Sequence, residues 1–219
     1  MRNYFDQQLA LLKEEMTQMG ALCEDAIAMA AKALAERSPE LAARIPAIAS
    51  ALDQKERDVE DICLKLLLRQ QPVAGDLRQI SAALKMITDM ERIGDQAEDI
   101  AEIVGYLEDC PQEQCALLSA MARAAVKMVT ESVDAYVKQD VALAKEVIDH
   151  DDVVDDYFDQ VKTSLMDLIA AAPREGSTAL DLLMIGKYFE RIGDHATNIA
   201  EWVIFSVTGV HKSAELAKE

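Results

Sequence analysis

Glu91 and Asp95 stand four residues apart in Met90-Glu91-Arg92-Ile93-Gly94-Asp95-Gln96-Ala97, and the same pair returns as Glu190 and Asp194 in Phe189-Glu190-Arg191-Ile192-Gly193-Asp194-His195-Ala196. On a helix turning ~100° per residue, the two carboxylates of each pair share one face, roughly 40° apart. Glu98, Asp99 and Glu102 extend that face in the first copy. In the second, the place of Asp99 is taken by Asn198. Like charges at this spacing disfavour an isolated helix by about a few tenths of a kcal/mol per pair, so a duplicated acidic column calls for something that offsets it.

A second pair of columns lies upstream of each copy. Asp53, Glu56 and Glu60 recur as Asp149, Asp152 and Asp156, again at offsets that share a helix face. Aligning these acids shifts the chain by 96 positions, against 99 for the Glu-Arg-Ile-Gly-Asp helices. Carboxylates on facing helices would make an all-oxygen site suited to hard divalent or trivalent cations. The plainer alternative is that both columns are the solvated outside of a helical bundle. Catalytic chemistry has little to work with: the histidines are His150, His195 and His211, none in a Glu-x-x-His pattern, and no phosphate-cradling glycine loop or nucleophile elbow is present.

The elements that must carry these columns are long helices. Phe5, Leu9, Leu12, Met16, Met19, Cys23, Ile27, Ala30 and Leu34 recur at helical intervals, predicting one helix over 3–36. Ser38-Pro39 reads as an N-cap followed by proline at the first helical position, and Pro46 predicts a kink or a short helix before the main one over 48–70. Gln71-Pro72-Val73-Ala74-Gly75 is a breaker, and a third helix runs to about Tyr106. The second half repeats the plan over about 112–138, 140–171 and 177–208. Short connections force neighbours to run antiparallel. The fold predicted is all-α, six long helices in two tandem antiparallel three-helix bundles, 1–108 and 109–210, with a frayed tail at 211–219. Gly94 and Gly193, in mid-helix where glycine costs about 1 kcal/mol relative to alanine, predict close approach of a neighbouring helix.

Lys and Arg number 22 against 40 Asp and Glu, a formal net charge of −18 that opposes nucleic acid and anionic lipid. No uncharged run approaches the ~20 residues of a membrane span, and nothing resembles a secretory leader. Cys23, Cys63, Cys110 and Cys115 lack metal or redox spacing and read as buried thiols of a cytoplasmic protein. Met16, Met19, Met29 and Met121 read as core.

Taken together, Asp53-x-x-Glu56-x-x-x-Glu60, the segment from Arg69 to Arg78 (Arg-Gln-Gln-Pro-Val-Ala-Gly-Asp-Leu-Arg) and both Glu-Arg-Ile-Gly-Asp helices resemble the PhoU family over nearly the whole chain. The resemblance implies tandem three-helix bundles and a metal pattern of Glu or Asp followed four residues later by Asp. That pattern falls on Glu56 with Glu60, Glu91 with Asp95, Asp152 with Asp156 and Glu190 with Asp194, with Asp99 and Asn198 as further rungs. Iron, zinc, manganese or magnesium are the ions it implies. It also implies a non-enzymatic cytoplasmic regulator that restrains phosphate uptake and the phosphate-starvation response, as a homodimer, by binding the phosphate ABC transporter at its cytoplasmic subunit and a sensor histidine kinase. A carboxylate-bridged phosphohydrolase and a metal-storage protein are the alternatives.

Overall fold

The computed structural model describes residues 2–70, 73–107 and 110–210. Gln71 and Pro72 of the breaker, Glu108 and Asp109 at the expected junction of the halves, and the expected frayed tail at 211–219, with His211, lie outside them. The described chain is helical throughout: α1 (Arg2–Glu36), a short α2 (Pro39–Ala42), α3 (Ile45–Gln70), α4 (Ala74–Tyr106), α5 (Gln112–Lys138), α6 (Val141–Ala171) and α7 (Gly176–Thr208), the last preceded by a 3₁₀ turn at Pro173–Glu175. The six long helices expected from the periodicity are present.

Local chemistry explains the ends. Ser38 accepts a hydrogen bond from the Leu41 backbone N–H, with Pro39 at the position where a missing donor is harmless. The short α2 is thus the reason the chain can turn before Pro46, which sits one residue inside the start of α3 and does not kink it. Asp140 caps α6 through Ala142 and Leu143, directly after Gln139 takes the left-handed conformation (φ 56°) that closes α5.

Helices α1, α3 and α4 pack on one another, as do α5, α6 and α7. The halves are not separate bodies. Helix α4 lies against α7 and α1 against α5, and a single apolar core runs through both, including Met16, Met19, Ile93, Met121, Tyr136 and Phe189, all fully buried. Polar staples cross the same seam: the Tyr136 hydroxyl donates to the Gln79 carbonyl (3.2 Å), Lys13 Nζ to the Val137 carbonyl (3.2 Å) and Arg78 Nε to the Ser206 carbonyl (3.4 Å). Each half is long enough for its own core, but the sequence places apolar stripes on both sides of α4 and α7, and the second stripe of each is covered by the other half.

The cysteines divide. Cys23 and Cys63 are buried free thiols as expected. Cys110 and Cys115 are joined in a disulfide, contrary to the reading of four free thiols: the start of α5 folds back on the segment before it and brings their Cα atoms to 5.8 Å, within bridging range.

Candidate functional site

Helix α4 buries Ile93, Ala97, Ile100 and Val104 and turns the opposite arc, with Glu91 and Asp95, toward α3 and solvent. Gly94 fixes how close α3 comes. A Cβ there would stand 2.7 Å from Leu52 Cδ1, so any larger residue obliges the Leu52 tip to move. That approach sets Glu91 among Asp95, Glu56 and Asp53, and its carboxyl is held above the usual carboxylate range, chiefly by loss of solvent and then by Asp95. Arg92 offsets part of this, reaching Glu91 at 3.4 Å and Asp95 at 2.9 Å from the same helix. Thr88 donates to Glu56 across the two helices at 3.3 Å.

The second half builds the same arrangement from different residues. A Cβ at Gly193 would stand 3.3 Å from Val154 and 3.4 Å from Asp151, the counterparts of Leu52 and Ala49 beneath Gly94. These pairs are 102 positions apart, not 96. The acids that α6 turns toward Glu190 and Asp194 are therefore Asp151 and Asp155. Asp151 is pushed up to about 6 by burial and by Asp155, Asp194 and Glu190, with the Thr197 hydroxyl working the other way. Asp155 and Asp194 are also raised, in each case by partial burial first and Glu190 second. Lys187 pairs with Glu190.

Of the residues predicted from sequence, the structure brings Glu56, Glu91 and Asp95 together, and Glu190 with Asp194. Asp152 and Asp156 are exposed on the neighbouring arc of α6, Asp152 within electrostatic reach of Asp155 and Asp156 in a trough facing α5. Glu60 is exposed beside Cys63, whose thiol burial and this carboxylate push up to about 12. Asp99 and Asn198 serve the seam between halves. Asn198 donates to Asp89 at 3.1 Å, and Asp89 also meets His195 Nδ1 at 2.9 Å. Asp99 is raised by partial burial, Asp95 and Glu102, and is offset by Arg191 from α7. Sequence reading missed Asp89 and Asp151, and its helix angle for Asp155, which spoke against an inward position, is corrected by the placement of Asp155 near Glu190. The exchange of Gln96 in one copy for His195 in the other was the visible sign that the copies have different neighbours.

Among the described residues no three His, Cys, Asp or Glu side chains converge so as to hold a metal ion. As arranged, the carboxylates do not form a closed ligand shell, and Arg92 and Lys187 already neutralise part of each face. What the arrangement does supply is two acidic surfaces, one on each half of the helical frame.

The comparison with known proteins agrees with the duplicated architecture. A family model described as the PhoU domain matches residues 16–104 and again residues 118–203. The chain belongs to the PhoU family. It is 36% identical over 185 residues, 84% of each chain, to a protein of Aquifex aeolicus named phosphate-specific transport system accessory protein PhoU homolog. A protein of the same name from Synechocystis is 35% identical over 213 residues, covering 95% of this chain and 93% of its own. The crystal structure of PhoU from Pseudomonas aeruginosa superposes with a TM-score of 0.88 at 33% identity, over 94% of this chain and 100% of that one. Among the described residues no helix is long and apolar enough to cross a membrane.

Proposed function

We propose that this chain is a non-enzymatic, cytoplasmic accessory regulator of phosphate transport, restraining uptake and the starvation response by binding a phosphate ABC transporter at its cytoplasmic subunit and a sensor histidine kinase, as a homodimer. The observation that carries this reading is the match, over 84% and 95% of the chain, to relatives named as accessory proteins of a phosphate-specific transport system. The charge of −18 supports protein partners over nucleic acid or anionic lipid. Affinity capture of the full chain from phosphate-replete cells is expected to recover transporter and kinase subunits, and deletion to raise phosphate uptake. Recovery of neither, with uptake unchanged on deletion, overturns it.

A second part of the proposal concerns metal. The carboxyls of Glu91, Asp151, Asp155 and Asp194, all raised by partial burial and neighbouring acids, mark places where positive charge is in short supply, which favours hard cations held by Glu91, Asp95, Asp53 and Glu56 in one half and by Glu190, Asp194, Asp151 and Asp155 in the other, once Arg92 and Lys187 swing aside. Elemental analysis of protein purified without chelator, followed by titration with iron, zinc, manganese and magnesium, tests it. Uptake at both halves, lost from the first alone in Glu91→Ala/Asp95→Ala, is expected; no bound metal and no uptake ends this part and leaves the regulatory reading standing. Metal-dependent hydrolysis of phosphate esters by the loaded protein would instead favour a metalloenzyme.

A further inference from the structure

The outer end of the α6–α7 pair carries a surface the acidic faces do not use. Met166 and Ile169 on α6 and Leu180 and Leu183 on α7 line a groove of about 530 Å³. Met166 is 62% exposed and Leu180 61%, and Met184 stands exposed one turn further along α7. Large apolar side chains grouped this way are the mark of a surface that is covered in use. The two methionines suit a contact that must adapt to its occupant.

Across the α6 ridge the character reverses. A trough of about 620 Å³ between α6 and α5 is lined by Glu113, Asp156, Asp159 and Asp167 and by no basic residue. The two depressions adjoin, sharing Asp159 and Thr163. The one cation among the residues lining the apolar groove, Lys162, is held by Asp159 at 2.6 Å and lies over the Phe158 ring. The surface therefore presents an apolar furrow flanked by carboxylates of α6 and α5, of which Asp159 has Lys162 as its cation.

We propose that this surface docks a basic amphipathic helix of a partner protein, its apolar face in the α6–α7 groove and its Lys and Arg side chains over the α5–α6 trough. Anchors at helical spacing fill a groove of this kind, and the acidic flank selects the sign of the partner. A second copy of this chain fits less well: it carries the same charge of −18, and a symmetric contact would set acidic trough near acidic trough. Anionic membrane is opposed for the same reason. The inference stands on this surface alone and does not depend on the partner being a transporter or a kinase.

The test uses the full chain and a labelled 18-residue peptide of leucine and lysine in amphipathic order, beside a scrambled peptide of the same composition, read by fluorescence anisotropy. The ordered peptide is expected to bind at least ten-fold more tightly than the scrambled one and to gain helicity by circular dichroism. Leu180→Glu is expected to remove that advantage, with Met166→Glu as an independent second variant; both sites are exposed, and a melting curve verifies folding. Asp159→Asn/Asp167→Asn should weaken binding several-fold and flatten its salt dependence. Equal binding of ordered and scrambled peptides, or undiminished binding by both apolar variants, overturns the proposal, because attraction would then be to net charge alone. A halving of the solution mass on Leu180→Glu also overturns it, by showing that a second copy covers the groove.

Discussion

The two halves carry the same pentapeptide on α4 and α7, yet it meets different surroundings in each. Beneath Gly94 lies the tip of Leu52, a long side chain pressed into the space a Cβ would fill. Beneath Gly193 lie the short, stiff Val154 and the carboxylate of Asp151. The first half sets its acids beside an arginine that bridges Glu91 and Asp95. The second puts an aspartate directly under the glycine and answers with Lys187, which pairs with Glu190 and also offsets Asp155 and Asp194. The same contrast recurs at the seam. Asp89 of α4 meets His195 and Asn198, while its counterpart Tyr188 on α7 has Asp99 for a neighbour. Duplication thus copies a helix face, but the partner helix decides how much charge that face can hold.

The largest effect that would break this comparison is at the glycines. Gly94→Ala forces Leu52 from its place in a filled core, at about 1–3 kcal/mol, against about 1 kcal/mol regained in helix propensity. A net loss of up to ~2 kcal/mol is expected. Gly193→Ala meets its neighbours at 3.3 Å and beyond, so strain and propensity nearly cancel, to within ~0.5 kcal/mol. Urea midpoints of the two variants measure the difference, and equal midpoints would mean that the halves pack alike.

At the seam, Asp89→Ala leaves His195 and Asn198 without their shared acceptor and is expected to cost ~1 kcal/mol. Tyr188→Phe, at the equivalent position, should change stability by no more than ~0.5 kcal/mol. Thermal melts near neutral pH compare them. A loss on Tyr188→Phe as large as on Asp89→Ala would show that the two cross-half contacts are equivalent after all.

The acidic faces give a pH signature. In the unfolded chain Asp151 releases its proton near the ordinary aspartate value; in the folded chain it does so at about 6. Between these values the folded state holds more protons, so this group's contribution favours folding below about pH 4, declines as pH rises through 6, and is flat above. Asp151→Asn should therefore stabilise the protein at pH 7–8, by ~1 kcal/mol after allowing for its partial exposure to solvent, and should flatten the stability profile between about pH 4 and about 6. Glu91→Gln, where Arg92 already offsets the repulsion, should act in the same direction by only about a few tenths of a kcal/mol. Urea titrations at several pH values read both; a destabilised Asp151→Asn would mean that the carboxylate is held by a favourable contact.

By itself the sequence determined the helices, their ends and their duplication, because these rest on local chemistry: apolar residues at helical period, Ser38 and Asp140 as caps, proline and glycine where the chain turns. It also determined that α4 and α7 each carry an acidic face and that a neighbour comes close at Gly94 and Gly193. It could not determine which acids those faces meet. Helix α6 bears Asp149, Asp151, Asp152, Asp155, Asp156 and Asp159, spread around much of its circumference, so almost any rotation sets two carboxylates toward α7. The choice of Asp151 and Asp155 over Asp152 and Asp156 was made when Val154 settled against Gly193, a contact between residues far apart in the chain. The single core through both halves and the meeting of Asp89 with His195 were decided in the same way. Each depends on how whole helices lie against one another, and the spacing within one helix carries no record of that.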